Sequence, residues 1–237
     1  MGRKSTGLKY DRSPDLELLE NAIAMPTLDL SNVSKRYGRK TVLAEVNLQL
    51  SKGLSLLVGP SGAGKSTLLR LIATAERPTS GTLVWNGAAL PAARKSLRRS
   101  LGYAPQAVDL PEDLTALEFA LHMAALKELD RGASEAQARF LADALGLGDD
   151  LERRISTYSG GMRRRLILLQ AILGDPQLLA LDEPTAELDS ASIARVVALI
   201  RERASTAIVV MTTHLEHALA GTAQTSFHVE QGEVRPL

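Results

Sequence analysis

Apolar and polar positions follow three different rhythms along this chain, and each rhythm predicts a different element. Residues 27–30 (Thr-Leu-Asp-Leu) alternate, and so do residues 46–50, where Asn47 and Gln49 separate Val46, Leu48 and Leu50. A period of two predicts strands with one face exposed. Residues 34–40 (Ser-Lys-Arg-Tyr-Gly-Arg-Lys) read as a turn-rich break between them. Residues 82–87 predict a further strand ending in an Asn86-Gly87 turn. Residues 100–104 predict another, and residues 225–230 a last one at a sheet edge. Residues 54–58, 178–181 and 207–211 are near-continuous apolar runs, the pattern of strands covered on both faces. Helical spacing governs 68–73, 160–173 and 190–203, where Ile193, Val196, Val197 and Ile200 fall at i, i+3, i+4 and i+7. Thr115 with Glu118, and Ser134 with Gln137, read as capping boxes opening helices to about 129 and about 145.

The order of these elements predicts an α/β fold. Strands alternating with helices imply a mostly parallel core sheet. The alternating strands near the start imply a small antiparallel sheet packed beside it, and the stretch 107–157 is an all-helical insertion. Residues 1–25 read as a polar extension, loose or forming a short amphipathic helix through Leu16, Leu18, Leu19 and Ile23. Residues 26–237 read as one domain. Composition narrows the partners. A hydrophobic share of 45% supplies a core, and Lys+Arg of 28 against Asp+Glu of 27 argues against a dedicated nucleic-acid surface. The absence of cysteine excludes disulfides and thiolate metal sites. No apolar run approaches the roughly 18 residues that span a bilayer, so the chain is expected not to cross one itself.

The chemistry centres on Gly59-Pro60-Ser61-Gly62-Ala63-Gly64-Lys65-Ser66-Thr67, which fits G-x-x-x-x-G-K-[ST] between a predicted strand and a predicted helix. Glycines let successive N–H groups turn inward toward phosphate oxygens, and the helix adds its positive end. Lys65 brings a full charge to the outer phosphates, and the Ser66 hydroxyl is placed to ligate Mg²⁺. Asp182 and Glu183 follow the apolar run 178–181. A carboxylate at that strand end can hold the metal, and the second acid can orient or deprotonate a water. His214, after another buried run, is expected on the same edge. Gln106, after the strand at 100–104, can reach the metal or the water. Tyr37 offers a ring to stack on a base, with plain packing as the alternative. Ser159-Gly160-Gly161 opens a helix and makes a second anion device. Two such devices on one chain make sense if the second faces a nucleotide held by another copy. The basic run Arg163-Arg164-Arg165 reads as a solvated helix face.

In this order, the phosphate loop, Gln106, Ser-Gly-Gly-Met, Leu-Leu-Ala-Leu-Asp-Glu-Pro, Ala-Glu-Leu-Asp and His214 resemble the ATP-binding cassette family over about residues 27–232. The resemblance implies a P-loop NTPase fold with a flanking antiparallel β-subdomain and an inserted helical subdomain. It implies ATP and Mg²⁺ as ligands, and a head-to-tail dimer of two cassettes sandwiching two ATP. By position, Tyr37 would stack on adenine, residues 59–67 would hold the phosphates, and Ser66, Gln106 and Asp182 would attend Mg²⁺. Glu183 would be the catalytic base and His214 would contact the terminal phosphate. Ser159, Gly160 and Gly161 would clamp the partner's nucleotide, and Asp189 would lie in the loop crossing the dimer interface. The sequence departs from the family at Met162, where many members carry Gln, and at Glu187, where a small residue is common. Met162 followed by arginines is similar to exporter-type cassettes that pair with separate membrane permease subunits. The function so implied is the ATP-hydrolysing subunit of a transporter, most simply an exporter, cytoplasmic and peripheral on the inner face of the membrane. The alternative is a soluble cassette ATPase acting on ribosomes or nucleic acid.

Overall fold

Residues 25–213, 221 and 223–237 are described by the structure, a computed structural model. The alternating segments near the start pair with one another. Strand β1 (Thr27–Tyr37) and strand β2 (Lys40–Ser51) form an antiparallel hairpin. Strand β3 (Gly53–Val58) then leaves for a second sheet. After helix α1 (Lys65–Ile72) the chain returns as β4 (Ser80–Trp85) against the other side of β1, and β5 (Ala88–Ala89) completes the order β2-β1-β4-β5. Asn86 (φ 47) and Gly87 (φ 78) are both left-handed, as a two-residue hairpin turn requires.

Residues 34–37 are strand, not the break expected there. Register shifts between Leu30 and Val33, and again up to Arg36, keep β1 paired as far as Tyr37 opposite Lys40. Both faces are largely open to water at this end of the hairpin. The backbone ladder therefore persists without the apolar alternation that would reveal it.

The second sheet is central. Strands β3, β6 (Leu101–Ala104), β7 (Leu178–Asp182), β8 (Ile208–Thr212), β9 (Thr225–Glu230) and β10 (Glu233–Pro236) take the order β10-β9-β3-β8-β7-β6. All its pairs are parallel except β9–β10. The edge on that side is thus β10, and the segment 225–230 is interior to it. The polar Gln231-Gly232 turn hides the hairpin from a reading by apolar pattern.

Continuous apolar runs in β3, β7 and β8 are explained by two cores, one on each face. Leu54, Leu56, Leu179, Leu181, Val209 and Met211 join one. Leu57, Leu178, Ala180, Ile208 and Val210 join the other, together with α1 and the antiparallel sheet. Successive side chains point to opposite faces, so a strand buried on both must be apolar throughout.

Helix α2 (Arg94–Arg99), which precedes β6, carries no apolar stripe that predicts it; only Leu97 is buried. Between β6 and the next strand lie α3 (Ala116–Leu126), α4 (Arg131–Leu145) and α5 (Gly160–Ile172), with two short 3-10 turns. Thr115 and Glu118 make the expected capping box in full. Ser134 does not cap α4. That helix starts earlier, where the Asp130 side chain accepts the Ala133 N–H at 2.8 Å. Gln137 is engaged elsewhere, accepting the Gly174 N–H at 2.8 Å, so it cannot close a box. Helix α6 (Ser190–Ala204) packs between β7 and β8 in sequence and caps on Asp189. Among the described residues no helix is long and apolar enough to cross a membrane.

Candidate functional site

The phosphate-type loop runs from the end of β3 into α1. Gly64 is the residue before the helix, at φ 111, where a side chain would place its Cβ 3.1 Å from the Val42 carbonyl oxygen. Only glycine sits there without strain. No side chain caps α1, and its first turn holds no acid. Its first N–H groups are left for an external anion. The Lys65 ammonium folds back over the loop, donating to the carbonyls of Gly59 at 2.7 Å and Pro60 at 3.0 Å.

Parallel pairing brings the acids to this loop. Asp182 ends β7 and stands in register with Thr212 at the end of β8, which lies between β7 and β3. The Asp182 carboxylate is buried and accepts the Thr212 hydroxyl at 2.7 Å and the Ser66 hydroxyl at 3.2 Å. Glu183 leaves the strand in a left-handed turn (φ 51), its N–H held by Thr212 Oγ1 at 2.9 Å. Glu183, Gln106, Lys65, Ser66, Thr67 and the loop residues Ser61, Gly62 and Gly64 line one cavity of about 320 Å³. Arg164 of α5 holds the backbone carbonyl of Gln106 beside it.

A divalent cation fits this donor set in one way. The Ser66 hydroxyl and the Asp182 carboxylate share a hydrogen bond at the place where both would ligate. No cluster of three His, Cys, Asp or Glu side chains suited to a metal occurs among the described residues. Phosphate oxygens and water must therefore complete the shell, as is usual for Mg²⁺.

The segment expected to form a second anion device, Ser159-Gly160-Gly161, stands apart from this cavity. Ser159 caps α5 by accepting the Met162 N–H at 3.3 Å. Ser159 and Gly160 are exposed, and neither they nor Gly161 lines the cavity. Glu187 (φ 63) places its carboxylate beside Gly160, 3.5 Å from where a Cβ would lie. Asp189 accepts the Ser192 N–H at 2.7 Å; that bond first, and the Ser192 hydroxyl with it, holds its carboxyl below the usual range. The neighbouring Tyr158 is structural. Its hydroxyl donates to the Asp150 carbonyl at 2.8 Å, and burial pushes its pKa up to about 12.

The three arginines after Met162 are not a solvated face. Arg163 pairs with Glu112 at 2.7 Å, Arg164 reaches Gln106, and Arg165 donates to the carbonyls of Leu145 and Gly146 at 2.9 Å each. They fasten α5 to the helical insertion and to the Gln106 segment.

Tyr37 stands at the end of β1, exposed, and outside the cavity lining; its hydroxyl donates to Glu76 at 2.6 Å. His214 lies outside the described residues. Sequence reading missed Thr212, Arg70 and Glu76. Arg70 lines the cavity and bonds Thr67 Oγ1 at 3.1 Å. A helical offset of four from Ser66 was its one available signal. Thr212 acts through strand pairing across 30 residues, which no local pattern records.

The family model described as ABC transporter matches residues 43–186. The Nod factor export ATP-binding protein I of Rhizobium etli is 37% identical over 166 residues, covering 70% of this chain and 52% of that protein. The chain thus spans about half the length of that relative. The lipoprotein-releasing system ATP-binding protein LolD of Shewanella frigidimarina is 37% identical over 218 residues, covering 86% of this chain and 90% of its own. Among solved structures, the dimeric bacterial ABC transporter cassette MJ0796 aligns with TM-score 0.79 at 26% identity, covering 89% of this chain and 97% of that one. Its post-hydrolysis state, bound to ADP and Pi, aligns with TM-score 0.78 at the same identity, covering the same shares of the two chains.

Proposed function

The chain belongs to the ABC transporter family, and from that premise we propose that it is the ATP-binding and ATP-hydrolysing subunit of a transporter, working through separate membrane permease subunits. The observation that carries this reading is the meeting of Ser66 with Asp182 beside an uncapped helix end, with Glu183 on the wall of the same cavity. Phosphoryl transfer asks a protein for positioning and charge compensation, and this geometry offers both.

The loop residues 59–67 and the N-terminus of α1 receive the phosphates. Lys65 exchanges the Gly59 and Pro60 carbonyls for phosphate oxygens. Ser66, Asp182 and Gln106 would hold Mg²⁺, which would offset charge on the outer phosphates. Glu183 is the base that accepts a proton from the attacking water, and Thr212 holds its backbone in place. Tyr37 stacks on the adenine, and His214 is assigned to the terminal phosphate. Ser159, Gly160 and Gly161 serve the nucleotide of a second copy: the first two are exposed, and none of the three lines their own cavity. A head-to-tail homodimer follows, and ATP shifts the population toward its closed form.

As for domains, residues 26–237 form the cassette, 107–157 are its inserted helical part, and residues 1–25 are an extension. The permease is placed on an apolar groove of about 500 Å³, lined by Tyr103, Pro105, Val108, Phe119, Met123 and Leu126. Val108 is 47% and Leu126 67% exposed. This groove lies between the Gln106 segment and the helical insertion, so a helix end seated there would feel both. The protein is then cytoplasmic, held peripherally on the inner face of the membrane. Export is the direction favoured, since relatives carry names of export and drug resistance.

The test is recovery of the tagged chain from detergent-solubilised membranes. An integral membrane protein should co-purify in fixed ratio, and Leu126→Asp in the groove should release it while ATP binding persists. Recovery of ribosomes or nucleic acid with no membrane protein would overturn the transporter reading.

A further inference from the structure

One carboxylate ties the Tyr37 ring to the phosphate-loop helix. Glu76 Oε2 accepts the Tyr37 hydroxyl at 2.6 Å and the Lys35 ammonium at 2.8 Å, while its Oε1 accepts Arg70 Nε at 2.7 Å. Arg70 belongs to α1 and donates onward to Thr67 Oγ1 at 3.1 Å, and both residues line the phosphate cavity. Lys35 also donates to the Arg77 carbonyl at 2.9 Å, and the Arg36 N–H to Thr79 Oγ1 at 3.0 Å. The end of β1 is thus stitched to the loop that follows α1.

The ring itself is held with one face spoken for. Lys35 Nζ lies over it, 4.9 Å from its centroid. A planar ligand therefore meets the opposite face. Burial alone would push the Glu76 carboxyl up, but the bonds from Lys35 and Tyr37 and the charges of Lys35 and Arg70 outweigh it and hold it below the usual range. Glu76 is then a charged acceptor for three donors from two different elements, and hydrogen bonds to a charged group are the stronger kind.

We propose that Glu76 is the positioning residue of the base site: it locks the Tyr37 ring to the phosphate-loop helix, so that base platform and phosphate cradle are held at one spacing before the nucleotide arrives. The idea rests on Tyr37 stacking on the base, as proposed above. A free tyrosine at a strand end would have to be ordered by each incoming nucleotide. A ring already bonded on its hydroxyl and covered on one face avoids that cost.

The experiment compares Tyr37→Phe, Glu76→Ala, their double variant and Tyr37→Ala by steady-state ATP hydrolysis. Inorganic tripolyphosphate, which has no base, serves as competing inhibitor. Tyr37→Phe keeps the stacking ring and removes only the tether; at an exposed position it should leave the melting temperature in place. Tyr37→Phe and Glu76→Ala should each raise KM for ATP about five- to tenfold, with most of the loss in KM and little in kcat. The double variant should be no worse than the poorer single, because both remove one link. Inhibition by tripolyphosphate should stay within about twofold of the starting protein.

If tripolyphosphate weakens in step with ATP, Glu76 acts on the phosphate loop through Arg70 and the proposal fails. It fails equally if Tyr37→Ala raises KM while Tyr37→Phe and Glu76→Ala do not. If Tyr37→Ala leaves KM unchanged, the stacking role of Tyr37 is wrong and this inference falls with it, a result distinct from the other two.

Discussion

The Thr212 hydroxyl donates to Asp182 Oδ1 at 2.7 Å, and Thr212 Oγ1 accepts the Glu183 N–H at 2.9 Å. One fully buried side chain on β8 therefore orients both acids at the end of β7. It donates to the first and accepts from the backbone of the second, so its single proton and one of its two lone pairs are used. Thr212→Val keeps the shape and removes both bonds. The buried Glu183 N–H loses this acceptor, at a cost of about 1–3 kcal/mol in stability. Denaturant unfolding should show that loss, and ATP turnover should fall by roughly tenfold or more as the acids lose their fixed orientation. Turnover and stability both unchanged would mean that water replaces the hydroxyl and that Thr212 orients nothing.

Glu187 sets its carboxylate beside Gly160, at the exposed helix end proposed to receive the other copy's phosphates. A negative charge there opposes an incoming anion. Glu183→Gln should stop turnover and accumulate an ATP-bound dimer on size exclusion. In that background Glu187→Ala should strengthen ATP-driven dimerisation by about two- to tenfold at low salt, with the gain shrinking as salt rises. Sedimentation equilibrium with ATP measures it. Weaker dimerisation would show instead that Glu187 bonds the partner.

Lys127 lines the apolar groove and donates to the carbonyls of Gln170 at 3.3 Å and Leu173 at 3.0 Å. Burial lowers its pKa to about 8. The folded chain thus sheds this proton before the unfolded chain does. Between about pH 8 and the unfolded value near 10.4 the unfolded state binds more protons, and stability from this group rises with pH. Lys127→Met removes the charge and keeps most of the stem. The stability of the wild type relative to that variant should climb over this window. A flat difference would place the ammonium in water.

Much of the cassette could be read without coordinates, and the parts that could not share a cause. The capping box at Thr115, the apolar strands and the loop at 59–67 are local: their physics lies within a few neighbouring residues. The strand extension through Tyr37 and the start of α4 at Asp130 were missed because ladder pairing and a contact from Gly174 outweighed local pattern. The arginines of α5 looked solvated because their partners lie far off in sequence, in the helical insertion and at Gln106.

The sequence by itself determined which chemistry this protein carries: a phosphate loop at a strand–helix junction, two acids after a buried strand, and a separate glycine-opened helix. Those are statements about contiguous residues, whose backbone geometry and charge act over a few ångströms. Tertiary structure decided how they meet. Parallel pairing across β8 set Asp182 against Ser66 and turned Thr212 into the support for both acids, while Ser159 and Gly160 stayed exposed and outside the lining of their own cavity. Long-range register depends on which strands share a core, and that is a property of the whole packed sheet rather than of any segment in it.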